Sequence, residues 1–135
     1  MNLIVCLDDK NGMTFNRRRQ SSDRLLIRHL LSWVGEKPLW ICPGSVSLFE
    51  ELPPNVIVDP DCFSKASRED FCFGEEKSCL EYISKAASII VYRWNRIYPA
   101  DQRFPETELR RRTICHTEEF KGYSHERITQ EVYIL

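Results

Sequence analysis

Asn2-Leu3-Ile4-Val5-Cys6-Leu7-Asp8-Asp9-Lys10-Asn11-Gly12-Met13 decides the architecture, because a short apolar run gives way at once to a polar turn. Leu3 to Leu7 is rich in strand formers and predicts a strand. Asp8 to Gly12 ends it, and the Asn11-Gly12 pair tolerates the positive φ that a tight turn demands. Beyond the turn, Ser21-Ser22-Asp23 offers N-cap chemistry. Leu25, Leu26, Ile27, Leu30, Leu31, Trp33 and Val34 then recur at helical spacing until Gly35 stops the run. A strand followed by an amphipathic helix is the first half of an α/β unit.

The alternation continues. Leu39 to Cys42 reads as a buried strand, and Ser47-Leu48-Phe49-Glu50 is a capping box that predicts a brief helix ended by Pro53-Pro54. Asn55 to Asp59 and Phe71 to Phe73 read as strands. Ser78-Cys79-Leu80-Glu81 is a second capping box, with Leu80, Ile83 and Ala87 on one helical face. Ile89 to Trp94 is a strongly apolar strand. Two late strands, around Arg112 to His116 and Ile128 to Leu135, flank Lys121-Gly122-Tyr123-Ser124 and predict an antiparallel pair on a mainly parallel sheet. The pattern as a whole is an α/β sandwich of about seven strands and three helices.

The 135 residues, 42% of them hydrophobic, suffice for one core and leave little room for a second, so a single domain over residues 1–135 is expected. A formal net charge of -1 gives no global drive toward nucleic acid or an anionic membrane. Six cysteines stand at 6, 42, 62, 72, 79 and 115 without a C-x-x-C pair, and they read as reduced thiols of a cytoplasmic protein. The first apolar stretch is too short for a signal sequence, no run approaches a membrane span, and the three histidines lack metal-ligand spacing, so neither a membrane nor a metal is expected.

The opening strand and turn, Asp23 at a helix start, Cys42-Pro43-Gly44-Ser45-Val46-Ser47, and Ala100-Asp101-Gln102-Arg103-Phe104-Pro105 together resemble the dihydrofolate reductases. The resemblance is spread over nearly the whole chain. It implies a three-layer α/β fold with a mainly parallel central sheet and a C-terminal antiparallel hairpin. It also implies that Asp23 is the acid that orients and helps protonate a pterin ring. Gly44 and Ser47 match the glycine and hydroxyl of the family's Gly-Arg-x-Thr segment, where a helix N-terminus meets NADPH phosphates. Asp101 and Phe104-Pro105 match the acid and the Phe-Pro of the family's strand-end motif.

The departures fall on the cofactor side. Ser45 replaces the basic residue that meets the 2′-phosphate of NADPH, removing a charge-assisted contact. The family's Gly-Gly turn aligns with Gly74-Glu75, followed by Glu76, which puts negative charge where phosphate oxygens belong. The stretch between Gly44 and Phe73 is shorter than its family counterpart, at the strand and helix that cup adenosine. Gln102 stands for the threonine that hydrogen-bonds the acid, and Arg17-Arg18-Arg19-Gln20 for a Pro-Trp pair near the nicotinamide.

Three readings follow. The first is a non-catalytic relative that takes a small ligand or a protein partner between the first helix and the sheet. Asp23 would bind the ligand, Val5 and Ile27 would wall it, and Gly44, Ser45, Ser47 and Gln102 would complete the site; no cofactor is expected, and NADPH is disfavoured. The second is a reductase of a pterin-like substrate with Asp23 as the polarising acid. The third is phosphate or nucleic-acid binding through Arg17, Arg18 and Arg19, joined by Arg110, Arg111 and Arg112. Each feature also has a plainer use. Asp23 suits a helix start through the dipole alone, Gly44 to Ser47 suits a strand-to-helix turn, and an arginine run suits a solvated loop. A nucleophilic thiol-imidazole pair from Cys115 with His116 or His125 is disfavoured, because neighbours on a strand point to opposite faces.

Overall fold

A computed structural model describes residues 1–135. Its elements run β1 (Asn2–Leu7), β2 (Gly12–Phe15), β3 (Arg18–Arg19), α1 (Arg24–Val34), β4 (Leu39–Ile41), a 3₁₀ segment Pro43–Leu48, β5 (Val56–Val58), α2 (Cys62–Lys65), β6 (Phe71–Phe73), a second 3₁₀ segment Lys77–Lys85, β7 (Ser88–Arg93), β8 (Gln102–Arg103), α3 (Glu106–Arg110), β9 (Thr113–Phe120) and β10 (Ile128–Ile134). The main sheet has seven strands in the order β5-β4-β6-β1-β7-β10-β9, and β3-β2-β8 forms a small antiparallel sheet beside it. β1 pairs in parallel with β6 and β7, and β4 pairs in parallel with β5 and β6. β10 runs antiparallel between β7 and β9, forming the C-terminal hairpin. The fold is therefore the expected α/β arrangement, a mainly parallel sheet closed by an antiparallel pair. No helix is long and apolar enough to cross a membrane.

Strand alternation divides the core into two layers. Leu3, Val5 and Leu7 face Cys62 and Phe63 of α2, Cys79 and Ile83 of the second 3₁₀ segment, and Leu109 of α3. Ile4 faces the opposite layer, where α1 presents Leu26, Ile27, Leu30 and Val34. Each such aliphatic side chain contributes about 1.5–3 kcal/mol when fully buried. Helix α1 is bounded as its sequence dictates: Asp23 caps its start in extended conformation, and Gly35 ends it at φ 65.

Both capping boxes act differently from expectation. Ser47 lies inside the 3₁₀ segment Pro43–Leu48, and no helix follows it. Pro43, with its fixed φ, starts a tight turn directly after β4, and Phe49 then returns to extended backbone so that its ring packs edge-on against Phe73 at 6.3 Å. Ser78 likewise sits within the second 3₁₀ segment, which buries Cys79 and Ile83 and is followed by buried Ala86, while Leu80 and Ala87 are only partly covered. β2, β3, β8, α2 and α3 are short elements that the hydrophobic pattern does not announce.

Candidate functional site

Asp23 lies where the start of α1 meets the loop between β9 and β10. Its Oδ1 accepts the N–H of Leu25 (2.9 Å), Leu26 (3.3 Å) and Tyr123 (3.0 Å). Its Oδ2 accepts the N–H of Ser124 (2.9 Å), the Ser124 hydroxyl (3.3 Å) and Nδ1–H of His125 (2.9 Å). Burial opposes ionisation here, but the Tyr123 N–H, the His125 ring, and the N–H groups of Ser124 and Leu26 outweigh it and hold the carboxyl well below the usual carboxylate range. The side chain is 0% exposed. Gly122 makes this approach possible, since a Cβ there would stand 2.6 Å from Asp23 Oδ2 and 2.9 Å from the His125 carbonyl oxygen.

His125 carries the network outward. Its Nε2 lies 3.0 Å from Ser21 Oγ and 3.2 Å from the Tyr98 hydroxyl, and accepts from a hydroxyl in the tautomer that carries its proton on Nδ1. Trp94 stacks on the imidazole at 4.6 Å between centroids. Asp8 fixes the neighbours, accepting from the N–H of Tyr98 (3.2 Å) and from Gln20 Nε2 (3.0 Å). A cavity of about 20 Å³ opens between α1 and the sheet, lined by Ser21 and Asp23 and by Cys6, Met13, Leu26, Ile27, Phe73 and Trp94. That is room for about one water-sized group.

The second polar centre is Glu75, just beyond β6. Arg19 donates to it from Nε (2.7 Å) and Nη2 (2.9 Å), and Ser45 Oγ donates at 2.7 Å. Arg19 Nη2 also reaches the Gly44 carbonyl at 2.9 Å. The Glu75 carboxylate keeps the Arg19 guanidinium all the more firmly protonated. Arg19 and Glu75 border the small cavity on one side. On the other they face an open groove of about 890 Å³, lined with them by Thr14, Arg17, Arg18, Gly44, Glu76, Lys77, Ser78, Asp101 and Gln102 and by no apolar side chain.

The residues singled out from sequence thus separate into groups. Asp23 and Ile27 share the small cavity, but Val5 does not join them: it faces the layer across the sheet, and Cys6 takes the wall position. Gln102 is not among the partners of Asp23; its amide donates to the Arg103 carbonyl at 3.3 Å, and the hairpin loop supplies the contacts expected of it. Gly44 and Ser45 border Glu75, whereas Ser47 is exposed and lines neither space. The Ser45 N–H is already given to the Cys42 carbonyl at 2.9 Å.

The arginines are dispersed as well. Arg17 and Arg18 are exposed on the β2–β3 hairpin, where Asn16 and Arg17 turn at positive φ, and only Arg19 is held by a carboxylate. Arg112 is buried and donates to the carbonyls of Ile83 and Ala86, while Arg110 and Arg111 pair with Glu106 and Glu108. Cys42, Cys62, Cys72 and Cys79 are buried free thiols. Burial pushes Cys42 and Cys79 up to about 12, so neither is a thiolate near neutrality. Ser21, Tyr98 and the pairing of His125 with Asp23 escaped sequence reasoning. They come from three regions up to 104 residues apart, and only a histidine in a polar loop hints at them.

No protein-family model and no curated protein matches the sequence. Among solved structures the chain is similar to dihydrofolate reductase from Enterococcus faecalis, complexed with NADP(H) and RAB-propyl, at 10% identity and a TM-score of 0.68. The match covers 98% of this chain and 94% of that one. With the parallel sheet, the capped first helix and the terminal hairpin in place, this chain has a dihydrofolate reductase-like fold.

Proposed function

We propose that this chain uses a reductase scaffold for binding polar ligands and does not transfer hydride from NADPH to a pterin. The observation that carries the reading is the saturation of Asp23: six hydrogen bonds from the chain itself converge on a carboxylate with no exposed surface. A pterin-orienting acid needs free lone pairs facing the substrate. Glu75 supports the same reading on the cofactor side. It meets Arg19 and Ser45 as a bound phosphate oxygen would, and its own charge repels a dinucleotide.

The open groove is the binding surface. Arg17, Arg18 and Lys77 line it together with Glu76 and Asp101, and the Arg19–Glu75 pair borders it. Such mixed charge suits a small polar ligand with both donors and acceptors better than a polyanion, which places nucleic acid behind it.

Calorimetric titration with NADPH, alone and with dihydrofolate present, tests the reading. The expected result is no saturable heat through the micromolar range and an unchanged melting temperature. Micromolar NADPH affinity with consumption of dihydrofolate overturns it in favour of an Asp23-dependent reductase.

A further inference from the structure

We infer that Ser21, His125 and Asp23 form a nucleophilic triad for short-chain ester hydrolysis. The order of contacts is the one such chemistry needs. A buried carboxylate receives Nδ1–H of the imidazole at 2.9 Å, and Nε2 of the same ring stands 3.0 Å from a serine hydroxyl. Triads are recognised by geometry and roles on unrelated folds. The carboxylate's backbone donors and the Trp94 ring fix the imidazole plane, so its tautomer and direction are set before any substrate arrives.

Ser21 is partly exposed while Asp23 and His125 are buried, so the nucleophile alone meets solvent. The cavity beside it is only about 20 Å³, so the acyl part is expected to be short and any longer chain must lie outside it. The polar groove behind Arg19 and Glu75 suits a hydrophilic alcohol as leaving group.

Ser21 Oγ attacks the ester carbonyl carbon while its proton passes to His125 Nε2. The tetrahedral adduct collapses, the bond to the leaving oxygen breaks, and that oxygen takes the proton from Nε2. Water then attacks the acyl-serine, again passing a proton to Nε2. Release of the carboxylic acid returns that proton to Ser21, so one ester and one water give one acid and one alcohol. The Tyr98 hydroxyl competes for Nε2 at 3.2 Å, and this lone pair can serve only one hydroxyl at a time.

The test uses the full chain with a fluorophosphonate probe and p-nitrophenyl acetate, followed by peptide mass mapping. The triad predicts one adduct, on Ser21, and an esterase rate that falls to the buffer rate in Ser21→Ala. His125→Gln lowers labelling at least ~100-fold. Tyr98→Phe raises it, because Nε2 is then left to Ser21 alone; a purely structural network has no reason to respond in that direction. Folded wild-type protein that takes no label on Ser21, labels instead at Ser22 or Ser124, or hydrolyses the ester as fast in Ser21→Ala overturns the proposal. None of these readouts depends on NADPH or on occupancy of the groove, so failure here is distinct from failure of the binding reading.

Discussion

Asp23 and Glu75 are two carboxylates at the same end of the sheet, each satisfied by the protein's own donors, yet they are built differently. Asp23 draws on four backbone N–H groups, a hydroxyl and a buried imidazole, from α1 and from a loop about a hundred residues away. Glu75 draws on one guanidinium and one hydroxyl, with Arg19 30% and Glu75 16% exposed. The first is part of the folding problem, because backbone donors cannot leave without opening the hairpin loop. The second is a clamp between side chains that can part while the backbone stays in place.

Removing Asp23 is the harshest way to test that difference. Asp23→Ala strips the cap of α1 and leaves the buried His125 ring and two part-buried N–H groups of the β9–β10 loop without their partner, for an expected loss of about 3–5 kcal/mol in urea unfolding. A loss below about 1 kcal/mol means that the loop finds other partners and that the node is not structural. Acidity probes the same carboxylate. Its folded-state pKa lies below the unfolded one, so it stabilises the fold above the unfolded carboxylate value of about 3.9, and this contribution is lost as pH falls below that value. Asp23→Asn does not titrate, so the stability gap between wild type and Asp23→Asn should narrow as pH is lowered from about 7 to 3. A gap that stays constant refutes the assignment.

Gly122→Ala attacks the node from the loop side. The new methyl would meet Asp23 Oδ2 and the His125 carbonyl well inside contact distance, so the loop must shift, at an expected cost of about 1–3 kcal/mol. The change should also broaden the His125 ring signals in NMR spectra if the loop and the imidazole move together. A stable variant with unchanged His125 signals shows that the loop is looser than its contacts imply.

How much of this was legible in advance follows from how local each signal is. The strand Leu3 to Leu7, the α1 periodicity with Asp23 and Gly35 at its ends, and the late hairpin all write their structure into neighbouring residues, and all are present. The capping boxes at Ser47 and Ser78 misled because Pro43 and the burial of Phe49 and Cys79 decide those segments, which a four-residue motif does not register. Glu75 was readable only as a charged side chain directly after Gly74. Its partners Arg19 and Ser45 are 56 and 30 residues away, so the clamp itself was not. The replacement of Gln102 by the Tyr123–His125 loop around Asp23 is tertiary in the same sense, since nothing near either segment encodes the meeting.

Glu75→Gln gives the smallest expected effect and the sharpest contrast. The pair is partly exposed, so its loss should cost no more than about 1 kcal/mol, and less in high salt. What should change is binding. With the negative charge gone, Arg19, Ser45 Oγ and the neighbouring Arg17 and Arg18 are left with donors and no anion, so inorganic phosphate should raise the melting temperature of Glu75→Gln in a saturable way and leave wild type unmoved. If phosphate stabilises both proteins equally, Glu75 is not occupying an anion site. If the variant instead loses as much stability as Asp23→Ala, the clamp is as structural as the buried node and the distinction between the two carboxylates falls.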